Sequence, residues 1–81
     1  MGWRRIKDDV DYYDALIRLS DIYILTGHYQ KAKDCLTTCI EIKFNWPDAY
    51  INFGKIAMLE EMFKKAIHYF EIAKKYPPEQ Y

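Results

Sequence analysis

The chain has 81 residues, 51% apolar and 30% charged, which makes it one small domain at most and too apolar to be disordered by composition. Twelve basic and twelve acidic residues cancel, so there is no general attraction for nucleic acid or an anionic membrane. No apolar run approaches the roughly 18 residues of a membrane span, and the start, Met1-Gly2-Trp3-Arg4-Arg5, has no apolar core of a secretory leader.

Residues 1–12 form a charged lead-in. Ile6, Val10, Tyr13 and Ile17 fall at helical spacing. Either the first helix starts well before the repeat at Tyr13, or Trp3 to Lys7 ends an earlier one. From Asp11 to Thr26 the pattern is helical, with Leu16, Leu19, Ser20 and Tyr23 on the inward face and Ile22 and Leu25 beside it. Gly27 stops this helix, because glycine takes a positive φ without strain. A second helix is predicted from about Tyr29 to Ile42, with Ala32, Leu36, Cys39 and Ile40 inward. Lys43-Phe44-Asn45-Trp46 breaks it, and Trp46-Pro47 reads as a packed linker. Pro47 opens a third helix at a position where its missing N–H is not needed, with Asp48 suiting the dipole. Tyr50, Phe53, Gly54 and Ala57 form its inward face. The fourth helix is predicted over about Phe63 to Lys75, with Ala66, Ile67, Phe70 and Ala73 inward and Pro77-Pro78 ending it.

Tyr13–Trp46 aligns without a gap on Pro47–Gln80. Asp14/Asp48, Ala15/Ala49, Ile17/Ile51, Ile22/Ile56, Leu25/Leu59, Lys31/Lys65 and Ala32/Ala66 are identical. Leu19/Phe53, Ser20/Gly54, Tyr29/Phe63, Leu36/Phe70 and Cys39/Ala73 agree in size or polarity. Small residues recur where helices come close, and large ones recur where they fill space.

This register resembles the tetratricopeptide repeat, a pattern of about 34 residues with large, small and aromatic residues at fixed offsets across a helix hairpin. Repeat one supplies Leu16, Leu19, Ser20, Tyr23, Gly27, Tyr29, Ala32, Leu36 and Cys39; repeat two supplies Tyr50, Phe53, Gly54, Ala57, Phe63, Ala66, Phe70, Ala73 and Pro78. The departures are Glu61 at the turn glycine, Phe44 at the closing proline of repeat one and Ala57 at the tyrosine. The resemblance implies an all-α fold of two stacked antiparallel helix hairpins, the start of a superhelix, with residues 1–12 as lead-in, 13–46 as repeat one and 47–80 as repeat two.

In that family the first helix of each pair lines a groove that holds a protein or peptide. Helical phase assigns Ile17, Arg18, Asp21, Ile51, Asn52, Lys55 and Met58 to partner contact here, with Asp14, Ile24 and Asp48 beside them. Some relatives clamp a C-terminal carboxylate with lysine and asparagine. Asn52 fits that role, but Ile17 and Asp21 stand where the first repeat needs Lys and Asn, and Asp21 repels an anion. The expected function is a non-catalytic protein-interaction or scaffolding unit. The alternative is a structural fragment or engineered repeat unit that self-associates, as a homodimer, through open helix ends by way of Ile67 and Tyr76.

Cys35 and Cys39 lie one helical turn apart, a poor geometry for a disulfide. Together with His28 or His68 they do not make the paired short-spaced ligand motifs of a zinc site. The sequence therefore predicts packed thiols, no metal and no cofactor, in an intracellular protein. Lys64-Lys65 and Lys74-Lys75 lie near many aromatics, but those aromatics are needed for packing, so solvated helix faces explain them better than single-strand nucleic-acid binding.

Overall fold

The computed structural model describes the backbone of residues 6–76 and the side chains from Val10 onward. The lead-in residues Met1 to Arg5 and the helix stop at Pro77-Pro78 lie outside the described residues. Among the described residues four helices follow one another: α1 (Ile6–Leu25), α2 (Tyr29–Ile42), α3 (Asp48–Leu59) and α4 (Phe63–Lys74). Residues 6–12 belong to α1, so this part of the lead-in lengthens the first helix. α1 packs on α2 and α3 on α4 as antiparallel hairpins, while α3 also lies against both α1 and α2.

Both hairpin turns use one helix ending. The His28 N–H donates to the Tyr23 carbonyl at 2.8 Å and the Gly27 N–H to that of Ile24 at 3.2 Å. Likewise the Met62 N–H donates to Ala57 at 2.8 Å and the Glu61 N–H to Met58 at 3.0 Å. This Schellman pattern requires a left-handed residue just past the helix. Gly27 supplies it at φ +81°, and Glu61 is driven into it at φ +62°. The departure at Glu61 leaves the turn geometry intact and puts strain in its place.

The core gathers Tyr13 from α1, Ala32, Leu36 and Cys39 from α2, the linker residue Trp46, and Ala49 and Ile56 from α3. Trp46 meets Tyr13 edge to face, centroids 4.7 Å apart at 81°, the arrangement that aromatic quadrupoles favour. The linker is packed, as its sequence suggests. Gly54 is a point of close approach: a Cβ there would lie 2.7 Å from Cζ of Phe70.

Some inward assignments are corrected. Leu19 is exposed, as are Ile22 and Leu25. Ile67, phased inward on α4, is 57% exposed, and Phe63, the counterpart of the half-buried Tyr29, is exposed too. These residues sit on the two ends of the stack, where no further hairpin covers them among the described residues. Tyr76, expected at an open end, instead stacks on Tyr50 with ring centroids 6.0 Å apart. The Tyr50 hydroxyl donates to the Phe44 carbonyl at 3.0 Å, and burial pushes its pKa up, with Tyr76 adding to the shift.

The two turns make opposite predictions. Glu61→Gly relieves left-handed strain and should stabilise the fold by about 1 kcal/mol, whereas Gly27→Ala should destabilise it by a similar amount. Urea denaturation followed by circular dichroism measures both, and an unchanged midpoint for Glu61→Gly would mean that the turn is unstrained.

Candidate functional site

The face shared by α1 and α3 carries the residues that helical phase assigns to a partner. Arg18, Ile51, Lys55 and Met58 are exposed there. Ile17 is half-buried and packs against the core, as does Ile24. Asp21, Ile24 and Leu25 of α1 and Lys55 of α3 line a depression of about 360 Å³. Leu25 was not among the expected contacts, although its identity with Leu59 in the other repeat was a signal that this position is used alike in both.

Arg18 is tied to its own helix, its Nε lying 2.9 Å from Oδ2 of Asp14 one turn away. Both side chains are well exposed, so the pair contributes at most about 0.5 kcal/mol. Electrostatic coupling links the carboxylates of this face. The Asp48 carboxyl is pushed above its ordinary pKa by desolvation first, then by repulsion from Asp14 and Asp21. The face is therefore acidic around Asp14, Asp21 and Asp48 and cationic at Lys55.

Asn52 departs from its expected role. It is 4% exposed, and its amide donates to Oγ of Ser20 at 2.9 Å and to Oδ1 of Asp21 at 2.8 Å. The Ser20 hydroxyl passes its own hydrogen to the Ile17 carbonyl at 2.7 Å. Helical phase puts Asn52 on the groove side of α3, but that side also faces α1, so its donors are used within the fold. Its contribution to the site is to hold Asp21 in place.

A smaller cleft of about 90 Å³ runs between α2, α3 and α4, lined by residues that include Lys33, Phe53, Glu60 and Tyr69. Phe53 and Tyr69 stack across it with centroids 5.1 Å apart. Lys33 and Glu60 bridge it at 3.2 Å, both partly buried.

Cys39 is buried in the core, its thiol facing the Tyr13 carbonyl at 3.9 Å. Burial, followed by the nearby Cys35 and Asp48, pushes its pKa up to about 12. Cys35 is half-buried, and burial and Asp34 raise its pKa as well. Neither thiol has the lowered pKa of a nucleophile. No three His, Cys, Asp or Glu side chains converge as a metal site among the described residues.

Two measurements follow from this geometry. Asn52→Ala removes the link between the hairpins and should cost about 1–3 kcal/mol in denaturant unfolding; Asn52→Asp should cost more, because it sets a carboxylate against Asp21. Second, at pH 8 a maleimide should label Cys35 slowly and Cys39 only on unfolding, because the thiolate is the reacting form. Mass spectrometry of tryptic peptides separates the two sites, and rapid native labelling of Cys39 would contradict the packing described.

The sequence matches the family profile described as Tetratricopeptide repeat at residues 13–45 and again at 47–80. No curated protein and no solved structure matches the chain. No helix among the described residues is long and apolar enough to cross a membrane. Two tandem profile matches over most of the chain, on two helix hairpins that share an apolar core, establish that the protein belongs to the tetratricopeptide repeat family, whose repeats generally mediate protein–protein interaction.

Proposed function

We propose that the chain is an intracellular, non-catalytic interaction unit that holds a peptide or helix across the α1/α3 face. The observation that carries this reading is the depression between Asp21, Ile24, Leu25 and Lys55, continued by the exposed Ile51 and Met58. Its lining is apolar with one charge of each sign, the make-up of a peptide groove in which a few side chains fix orientation.

Magnitudes decide which contacts matter. Burying Met58 or Ile51 under a partner is worth about 1.5–3 kcal/mol each. A rim ion pair at Arg18 or Lys55 is worth about 0.2–1 kcal/mol. The apolar stripe therefore carries affinity, and the charges set direction and on-rate. The acidic cluster around Asp21 and Asp48 favours a basic side chain in the partner at that end and disfavours a C-terminal carboxylate. Asn52 is spent inside the fold, which weakens the carboxylate-clamp reading further.

Peptides selected from a random display library on the intact chain test the groove. The expected hits carry apolar anchors and a basic residue. Their affinity should fall at least about 10-fold on Met58→Lys, since the lost burial alone exceeds about 1.4 kcal/mol and the new cation repels the basic residue, and should be unchanged on Ile67→Lys. Hits that bind both variants equally well would place binding elsewhere.

A further inference from the structure

The junction between the two hairpins shows what the open end of α1 is shaped to meet. In α3, Ala49 and Ile56 are buried at 0% and 1% exposure, in one core with Ala32, Leu36 and Cys39 of α2. Their repeat counterparts in α1 are Ala15 and Ile22, identical residues, with Leu19 standing in for Phe53. In α1 this same face is bare: Ile22 is 54% exposed, and Ala15 and Leu19 are exposed beside it. Tyr12 lengthens the stripe by one more turn and is also exposed.

The surface that α2 presents to α3 has its counterpart on α4. Ala32, Leu36 and Cys39 correspond to Ala66, Phe70 and Ala73, which are already buried or half-buried within the second hairpin, so the side of α4 left open is the one that carries Phe63 and Ile67. Lys33, which bridges to Glu60 across the junction, corresponds to Ile67, and Glu60 corresponds to Thr26. The polar bridge of the internal junction thus becomes an exposed isoleucine at the open end, next to the exposed Phe63. Charge agrees with shape: α1 carries five aspartates against one lysine and one arginine, and α4 carries three lysines against one glutamate.

From these observations we propose that a second copy of the chain docks its α4 end on the Tyr12–Ala15–Leu19–Ile22 face of α1, head to tail, repeating the α2/α3 junction between molecules. The contact is heterologous, since each copy offers a different face at each end, so it does not close at a dimer. Neither polar link of the internal junction is reproduced: Lys33–Glu60 becomes Ile67 against Thr26, and Asn52–Asp21 is lost as well. Arg18 replaces Asn52 and Lys55 replaces Asp21, so the incoming Arg18 lies toward Lys55. Asp14, already paired to Arg18, is the neutralising group there. The association is weaker for this mismatch, and apolar burial drives it.

Sedimentation velocity and light scattering on the intact chain over a wide concentration range test the proposal. The average mass should rise with concentration past that of a dimer. Ile22→Lys and Ile67→Lys should each give a monomer with unchanged helical circular dichroism, both side chains being more than half exposed. An equimolar mixture of the two variants should form a dimer and nothing larger, because Ile22→Lys keeps an intact α4 end and Ile67→Lys an intact α1 end. Arg18→Asn/Lys55→Asp, which copies the internal Asn52–Asp21 pair, should tighten association. A wild-type monomer at every concentration, a dimer that grows no further, or variants that fail to complement would each overturn the proposal. None of these results depends on peptide binding at Met58.

Discussion

The closeness with which α3 can lie in the fork between α1 and α2 governs this structure. α3 is the one helix in contact with all three others. Each approach is made at small side chains: Ala49 and Ala32 toward the first hairpin, Gly54 under the ring of Phe70 in the second, all buried. A methyl group at Gly54 would collide with that ring, so helix propensity is given up there for proximity. With α3 in place, Tyr13, Leu36, Cys39, Trp46 and Ile56 close into one core shared by both hairpins. That sharing matters in a chain of 81 residues, because two separate hairpin cores would each be too small to fold.

Apolar packing would tolerate some sliding of one hairpin over the other. Polar groups remove that freedom. The Asn52 amide is buried and must find partners, since leaving it unsatisfied would cost on the order of 1–3 kcal/mol. Only one register brings it to both Ser20 and Asp21. Lys33 and Glu60 make a second link on the other side of α3. The Trp46 ring wedged on Tyr13 sets the angle at the linker, with the Lys43 ammonium over its face at 5.7 Å. Together these contacts orient the α1/α3 face, and with it Asp21 and Lys55 across the depression.

Much of the fold was legible because repetition doubles the signal. The same small and large positions recur in the two halves of the chain and mark all four helices, whereas the Gly27 turn and the packed role of Trp46 were legible from single residues whose counterparts are Glu61 and Gln80. What stayed hidden concerns neighbours and not periodicity. Aligning Arg18 on Asn52 equates two positions on their own helices, yet one looks out from α1 and the other looks into α1. The same is true of Leu19 and Phe53, and of Ile67 and Lys33: the repeat register is right, and the exposure differs because a repeat at the end of a stack lacks one neighbour. Tyr76 was missed for another reason. Its stacking on Tyr50 brings together residues 26 apart in sequence, one near the start of α3 and one just past the end of α4, which no local pattern encodes.

The ends and the groove are separate surfaces, but stacking would join them. Each exposed isoleucine or phenylalanine that becomes buried contributes about 1.5–3 kcal/mol, whereas association costs about 4–15 kcal/mol in lost freedom of motion. The end faces carry several such side chains, among them Leu19 and Ile22 on α1 and Phe63 and Ile67 on α4. The balance between these opposing quantities is close, which is the regime of weak, concentration-dependent assembly. A copy added in the register of the internal junction would set its own α1 beside α3, so the depression lined by Asp21 and Lys55 would continue from one molecule into the next. A partner long enough to span two copies then binds the second segment intramolecularly, at a high effective concentration. By linkage it also strengthens the contact between the copies. Under the proposed stacking, weak ends and a shallow groove would therefore reinforce each other.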